Sequence, residues 1–480
     1  MTPQLRTGDS IGHDTPLRGL SRRWFDVDQS KRIAGFAVLT FGVLTALRVR
    51  GIGSHFWMLQ DQIRDWSLVL GPFSELPLVG SPTHFGGYTI GPAFYWVLWL
   101  FRVAIGPWFQ DLPHAGGIGQ AILQSGADAL LLVAIWRRFG SFWIALATVV
   151  LVATAAYDLA LSSLVWNPTM GSTLAKVAIA LVLLDWHIGS TPRVVMTVAV
   201  AWSAVHAYTG AIFVAVGVCA AVVSEPIRRC DWSGVRRVAA VIALTIVLLQ
   251  LPYLGHRLSQ QADDGAMGGV VDSVGRILSG TDEPAVWNSI GSYVRAVQFI
   301  VLEPWRVPLL GWGLVVSGLL VAVRYRRDRS LLAVTVLPQL AAVGGYAFFL
   351  ADLNDYYYLS LMPGATLMVV LAVISSVPAR WVNWIAIGCV AVALGSVPGK
   401  VRLAATMHRM PEYRLLVDGS RRILSARESV RSIATDFALP STADPEFLYT
   451  VLGGRIDSGS PWSAAIAVDG GVVYRRAEGP

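Results

Sequence analysis

A short polar segment near the start of the chain carries the densest set of side chains that could do chemistry. It reads Asp61-Gln62-Ile63-Arg64-Asp65. On a helix Asp61, Arg64 and Asp65 share one face, because residues three and four apart are neighbours. A carboxylate beside a membrane surface could accept a proton from a hydroxyl group or hold a cation. The alternative is a surface helix with an internal Asp–Arg ion pair, and the spacing alone leaves both open.

Other charged residues lie within or beside apolar runs. Lys176 and Asp128 both lie inside such runs, and an ionisable residue within a membrane span is a candidate functional residue. Lys176 could instead extend its ammonium to the interface, and we expect Asp128 to face the bundle interior, paired or protonated. Arg64, Arg295 and Arg306 are further candidates for binding a phosphate.

These side chains must be positioned by membrane-spanning helices. Hydrophobic residues make up 54% of the 480 residues, charged residues 14%, and the mean hydropathy is +0.55. A soluble protein carries roughly 25% charged residues. Long runs with almost no charge, such as Val194–Val223 and Leu331–Leu350, have the length of a bilayer-crossing helix and lack the alternation of barrel strands. The sequence therefore predicts an all-α polytopic membrane protein with about 11–13 transmembrane helices.

The chain divides into three regions by composition. Residues 1–32 form a polar tail, and residues 33–398 form the transmembrane domain. Two long external loops interrupt this domain, at 51–88 and 255–305. Residues 399–480 are richer in charge and predict a small external α/β domain.

The C-terminal region has two recognisable local patterns. Tyr413–Phe437 has the pattern of an amphipathic helix. Ala464–Val468 and Val472–Tyr474 flank Asp469-Gly470-Gly471, which predicts a hairpin.

Basic residues set the expected orientation. The net charge of +7 comes almost entirely from Arg, and loops such as Arg228–Arg237 and Arg324–Arg329 suit the cytoplasmic side, so we expect no binding to nucleic acid. The N-terminus is then cytoplasmic and the C-terminal domain external. One conflict remains. If the segments 90–105 and 118–136 both cross the membrane, Arg137-Arg138 lies on the external side, whereas basic residues are expected on the cytoplasmic side.

Further motifs follow Asp61–Asp65 along the chain. The first loop continues through Gly80-Ser81-Pro82-Thr83-His84 to Gly91-Pro92-Ala93-Phe94-Tyr95-Trp96. Later segments are Trp166-Asn167-Pro168-Thr169, Ala204-Val205-His206-Ala207-Tyr208 and Asp355-Tyr356-Tyr357-Tyr358-Leu359. In this order the motifs resemble the GT-C fold glycosyltransferases of the bacterial family-39-like group, akin to protein mannosyltransferases and lipid A aminoarabinose transferases. Many relatives have a Glu where this chain has Gln62, which argues against a metal bound by a second carboxylate.

The resemblance implies a glycosyltransferase of the bacterial inner membrane. The donor would be a polyprenyl-phosphate sugar, and the acceptor a hydroxyl of an envelope glycan, lipid or protein at the outer face. Transfer would invert the anomeric centre, with Asp61 as general base and Asp65 as the second catalytic carboxylate. No cofactor is expected, and a divalent metal stays open. The residues expected to bind donor or substrate are Arg64, His84, Tyr95, Asn167, Lys176, His206, Arg306, Tyr356, Tyr357 and Tyr358.

Simpler interpretations exist for several of these residues. His206 could be a satisfied helix-turn histidine, and Tyr356–Tyr358 could belong to an interfacial aromatic belt. The competing function is a transporter or flippase of a lipid-linked saccharide. A transporter is expected to place its polar groups near the membrane midplane in two similar halves. The polar cluster on the first loop favours the enzyme.

Overall fold

The fold is known from a computed structural model of the chain. It describes residues 27–50, 52, 60–82, 88–109, 112–162, 164–260, 268–302, 308–349, 352–407, 412–439 and 444–476. Six helices in these ranges are long and apolar enough to cross a bilayer unaided. This confirms the predicted fold class, a polytopic helical membrane protein with a few strands near the C-terminus.

The membrane domain is built from helices joined by short turns. In chain order the described ones are α1 (Val27–Val49), α2 (Gln60–Leu68), α3 (Ala93–Ala104), α4 (Leu112–Phe139), α5 (Phe142–Ala153), α6 (Ala156–Leu161), α7 (Asn167–Leu183), α8 (Thr191–Ala207), α9 (Ile212–Arg228), α10 (Trp232–Gln260), α11 (Gly268–Leu278), α12 (Val286–Val297), α13 (Pro308–Arg324), α14 (Arg329–Tyr346), α15 (Met362–Ser375) and α16 (Val382–Thr406). A π-helical turn, Gln298–Leu302, ends α12, and a 3₁₀ segment, Asp355–Leu361, leads into α15.

The basic loops lie together on one face of the bundle, here called the basic face. Arg138 at the end of α4 binds Asp185, after α7, at 2.6 Å and Asp328, before α14, at 2.7 Å. Helix α3 has 12 residues, a length of about 18 Å, which is too short for a hydrocarbon layer of roughly 30 Å. Arg102, near the end of α3, donates to the Leu70 and Gly71 carbonyls of the first loop, so both ends of the predicted span 90–105 lie beside this loop. Arg137-Arg138 thus joins the other basic loops, which removes the conflict left by the sequence.

The core of the bundle surrounds α7, whose side chains are buried along almost its whole length. Helices α4 and α8 pack against it. Small residues such as Ala175 and Ala178 allow this close packing, as is common between membrane helices. By contrast, only about a fifth of the residues in α1, α10 and α16 are buried inside the protein, so these helices contribute to the lipid-facing surface.

The apolar run 194–223 is two helices, as predicted. Tyr208 is extended (φ −152°, ψ 117°) between α8 and α9, and a single 3₁₀ turn, Thr209–Ala211, reverses the chain. This turn lies on the face opposite the basic face, since α9 ends at the basic loop Arg228–Arg237.

The C-terminal region is a small α/β domain. Its described elements are α17 (Tyr413–Ala426), β1 (Ser429–Val430), β2 (Ile433–Thr435), α18 (Pro445–Val451), β3 (Arg455–Ile456), β4 (Trp462–Ile466) and β5 (Val472–Arg476). Strands β4 and β5 form the predicted hairpin, with Ile466 opposite Val472 and Gly470 at φ +77° in the turn. The predicted helix 413–437 is wrong beyond Ala426, because the chain turns at Arg427 and β2 pairs in parallel with β4.

Candidate functional site

Helix α2 is fixed to the bundle by one buried side. Trp66 is fully buried against Gly116, where an added Cβ would clash with the indole ring. Gln62 is also buried, and its Nε2 donates to the carbonyl oxygen of Val165 at 3.3 Å. The helix of the polar first loop is therefore docked on the bundle. Gln62, which stands where many of the resembling proteins have a Glu, contributes to this packing.

Asp65 lies on the buried side of α2 among hydrogen-bond donors. Its carboxylate accepts from the Tyr95 hydroxyl at 3.0 Å, from Arg64 Nε at 3.0 Å and from Ser81 Oγ at 3.4 Å. Burial raises the pKa of Asp65 to about 6, while the nearby Arg64 guanidinium opposes the rise. Asp65 is thus an internal anchor, with its oxygens occupied by protein donors.

The Gly-x-Pro segment brings Ser81 to this anchor. Gly80 N–H donates to the Thr89 carbonyl at 3.0 Å, and Thr89 N–H donates to the Ser81 carbonyl at 2.9 Å. A Cβ at Gly80 would collide with Thr89 Oγ1. Glycine is therefore required for the two arms of this loop to approach each other.

Asp61 is the exposed carboxylate of the segment. Its side chain is 52% accessible, and Oδ1 accepts from Arg64 Nη1 at 2.9 Å. The internal Asp–Arg ion pair considered from the spacing is thus present. Arg64 also binds Asp65 at 2.9 Å, so one guanidinium links the exposed carboxylate to the buried one and limits the orientations of Asp61.

Aromatic side chains lie on the same side as Asp61. Its neighbour Gln62 donates to the carbonyl of Val165, the residue before Trp166. The Tyr356 ring packs on Trp166 with ring centroids 4.9 Å apart, and Asn167 follows at the start of α7, half-buried. The Trp-Asn-Pro and Tyr motifs, distant in sequence, therefore meet beside the first loop.

A cavity of about 410 Å³ opens on the same face, next to Tyr356. It is lined by Arg295, Gln298, Phe299, Leu353, Asn354 and Asp355. Arg295 is exposed at the end of α12 and donates to Ser292 Oγ at 2.9 Å. Phe299, in the π-helical turn, meets Tyr157 edge-on at 4.9 Å. The cavity combines a guanidinium, a carboxylate, two amides and an aromatic wall, which suits a polar ligand bearing an anionic group.

Four buried charges form a cluster below this cavity, here called the buried quartet. Arg48 binds Asp128 at 2.6 Å and Asp158 at 2.5 Å, and Lys176 binds the same two carboxylates at 2.9 Å each. The four charges sum to zero and join α1, α4, α6 and α7. Asp128 is paired, as expected. Lys176 was predicted to bind a donor phosphate, but its ammonium already holds two carboxylates.

Arg48 and Asp158 were missed by the sequence reasoning. Each lies at the end of a helix, where a charge is usually interpreted as exposed, and each is buried. The available signal was the number of opposite charges within apolar segments, since charges in the bilayer core are usually paired.

The remaining predicted residues are placed differently. Tyr357 and Tyr358 are buried behind Tyr356, and Tyr358 packs edge-on against Tyr346 at 5.1 Å. His206 is fully buried and away from the cavity lining. Its ring packs on Gly91, and its Nε2 donates to the amide oxygen of Gln250 at 3.1 Å.

Two predicted residues, His84 and Arg306, lie outside the described residues. Among the residues that the structure describes, no three His, Cys, Asp or Glu side chains converge in a way that could hold a metal ion. Asp61 and Asp65 do not fit a shared metal, because the Arg64 guanidinium binds both carboxylates.

Comparison with known proteins identifies the fold. No protein-family model and no curated protein sequence matches the chain. Among solved structures, the chain is similar to ArnT from Cupriavidus metallidurans bound to undecaprenyl phosphate, with a TM-score of 0.54, 13% identity, and coverage of 87% of this chain and 85% of that one. For apo ArnT the TM-score is 0.53 at 12% identity, covering 91% and 93%. The chain thus has the GT-C fold that its motifs predicted.

Proposed function

We propose that this chain is an inverting glycosyltransferase that moves a sugar from a polyprenyl-phosphate donor to an acceptor hydroxyl. The observation that carries the proposal is the placement of Asp61, an exposed carboxylate held by Arg64, on the same face as a polar cavity lined by Arg295. A further support is the GT-C fold shared with ArnT, whose solved structure contains undecaprenyl phosphate. We place the site at the outer face of a bacterial inner membrane, opposite the basic face.

The residues suit a single displacement. The Asp61 carboxylate takes the proton of the acceptor hydroxyl as its oxygen attacks the anomeric carbon. The bond from that carbon to the phosphate oxygen breaks on the opposite side, and the phosphate leaves with the electron pair. The Arg295 guanidinium is suited to bind the phosphate as negative charge develops on it. Tyr356 and Trp166 offer an apolar wall for the sugar ring.

Asp65 acts through Arg64 in this proposal. Its carboxylate is enclosed by Tyr95, Ser81 and Arg64, so an acceptor has little access to it. It holds the guanidinium that in turn orients Asp61. We therefore assign Asp65 as a positioning residue, which revises the sequence-based expectation of a second catalytic carboxylate.

The test is sugar transfer by the purified protein in nanodiscs. Radiolabelled polyprenyl-phosphate sugars are offered with a crude envelope acceptor, and wild type is compared with Asp61→Asn. Loss of a general base lowers the rate by roughly 10²–10⁴-fold. Glu75→Gln is the matched control, since Glu75 is an exposed acid in the same loop, and we expect it to keep wild-type activity.

Two other outcomes would change the assignment. Transfer that survives Asp61→Asn in a folded protein would move the base elsewhere, with Asp355, which lines the cavity, tested next. Absence of transfer from every donor, together with protein-dependent movement of a labelled lipid across vesicles, would make the chain a flippase.

A further inference from the structure

The loop between α10 and α12, predicted to be external and polar, carries a strongly two-sided helix. In α11 the described residues Val274, Ile277 and Leu278 lie on one side, and Asp272 and Arg276 on the other. Arg276 binds Asp282 at 2.6 Å, so the polar side is satisfied by its own neighbours. Leu278 is 77% exposed.

The next helix, α12, also presents an apolar side chain away from the protein. Its inner side is docked: Tyr293 donates to Gln339 Oε1 at 2.9 Å, and Ser289 Oγ donates to the Val343 carbonyl at 2.8 Å. Trp287 lies on the outer side and is 79% exposed. Because the inner side is fixed by hydrogen bonds, the outward direction of Trp287 is set by the fold.

Helix α10, which precedes these side chains in the chain, belongs to the lipid-facing surface. It exposes Leu244, Leu248 and Leu251 and, two residues before its end, Leu258, which is 84% exposed. From Val238, the first apolar residue after the basic loop, to Leu258 the helix rises about 30 Å, which is the thickness of the hydrocarbon layer. The chain therefore leaves α10 at the far boundary of the hydrocarbon. Trp287 lies on the same side of the bundle, because its neighbour Ser289 pairs with Val343, near the end of α14 that is remote from the basic face.

We propose that Leu258, Leu278, Val286 and Trp287 form an interfacial rim that contacts phospholipid at the boundary between headgroups and acyl chains. A helix with one apolar and one charged side lies in the plane of this boundary, and tryptophan is enriched there. The occupant is lipid because Leu258 extends the exposed leucines of α10, and Trp287 lies beside the end of α14 that is remote from the basic face.

The rim has a consequence that rests on the proposed function. Arg295 follows Trp287 by eight residues on α12, a rise of about 12 Å. Since Ser289 pairs with Val343 and Tyr293 with Gln339, α12 runs antiparallel to α14, and Arg295 lies deeper in the bundle than Trp287, toward the basic face. The phosphate of a lipid-linked donor must therefore enter the cavity below the level of the rim to reach this guanidinium.

The test measures lipid contact directly and needs no catalytic activity. Nitroxide labels are attached to Trp287→Cys and Leu278→Cys in full-length protein whose native cysteines are replaced by serine, reconstituted in phosphatidylcholine nanodiscs. Collision rates with oxygen and with a water-soluble nickel chelate report depth. Val473→Cys is the control, because Val473 is also an exposed apolar residue but lies on β5 of the C-terminal domain.

We expect high oxygen and low nickel accessibility at 278 and 287, and the reverse at 473. Nickel accessibility at 278 and 287 equal to that at 473 would place the rim in water and overturn the proposal. Strongly immobilised spectra or spin–spin broadening would also overturn it, because they would indicate a protein partner or a second copy on this surface.

Discussion

Replacing Lys176 by methionine removes one of two cations from the buried quartet and leaves a net negative charge in an apolar surrounding. Asp158→Asn has the opposite effect and leaves a net positive charge. Both residues are at least 94% buried at the side chain, and their nitrogen and oxygen atoms are 2.9 Å apart. Loss of one partner from a buried ion pair costs about 3–5 kcal/mol, because the other charge stays buried without compensation. Each single variant should therefore be strongly destabilised.

The double variant Lys176→Met/Asp158→Asn should be more stable than either single variant. It restores neutrality and keeps the Arg48–Asp128 pair at 2.6 Å. Neutral replacement of a buried ion pair is often nearly without cost, so the coupling between the two substitutions should be about 2 kcal/mol or more.

The assay is thermal unfolding of the purified variants in one detergent, with the four proteins ranked by apparent Tm. Asp185→Asn is the control, since this carboxylate pairs with Arg138 at a half-exposed site, where an ion pair contributes at most about 1 kcal/mol. If the double variant loses as much as the two single variants together, the four charges do not act as one neutral cluster and the reasoning is refuted.

The candidate site supports three further predictions. Burial raises the pKa of Asp65 from 3.8 to about 6, so the unfolded chain loses this proton first and wild-type stability falls as pH rises from about 4 to about 6. The apparent Tm of Asp65→Asn should not fall over this pH range. If wild type and Asp65→Asn show the same dependence of Tm on pH, the prediction is wrong. Under the proposed function, Arg295→Ala should raise the donor KM about 10–100-fold, because a charge-assisted hydrogen bond contributes roughly 1.5–3 kcal/mol. Arg295→Lys should restore part of the donor affinity. Unchanged donor kinetics in Arg295→Ala would remove Arg295 from the site. Gly80→Ala should lower the apparent Tm through the clash with Thr89, by about 1–3 kcal/mol in stability, whereas Gly126→Ala, with open space at its Cβ, should not.

Much of the fold could be predicted because long apolar runs have few solutions in a bilayer. The division of 194–223 into two helices followed from the polar His206–Gly210 interruption, and the β4–β5 hairpin from Asp-Gly-Gly. The short helix at 90–105 has a physical cause. Composition shows that a segment is apolar, but its helix is shortened by Pro92 at the start and by Gly106-Pro107 at the end.

The site was only partly predictable. The Asp61–Asp65 segment and the Trp166 and Tyr356 motifs were recognisable from the sequence, because each is a local motif at a helix end. Burial within the segment could not be foreseen, since helical spacing does not tell which of Asp61 and Asp65 faces the bundle. The role of Lys176 depends on Asp128 and Asp158, which come from other helices, and pairing of this kind is set by tertiary packing.

The short helix α3 bears on how the chain is made. It packs against α4 and α8, and the Ile90 carbonyl just before it accepts from the Gln250 amide of α10 at 2.7 Å. During synthesis α4 follows α3 directly, but α8 and α10 emerge much later, so the docking place of α3 is complete only when those helices have left the ribosome. The first loop is therefore synthesised before all the helices that hold α3 are present. A chain stopped before α10 should expose this loop to protease, whereas the finished protein should protect it.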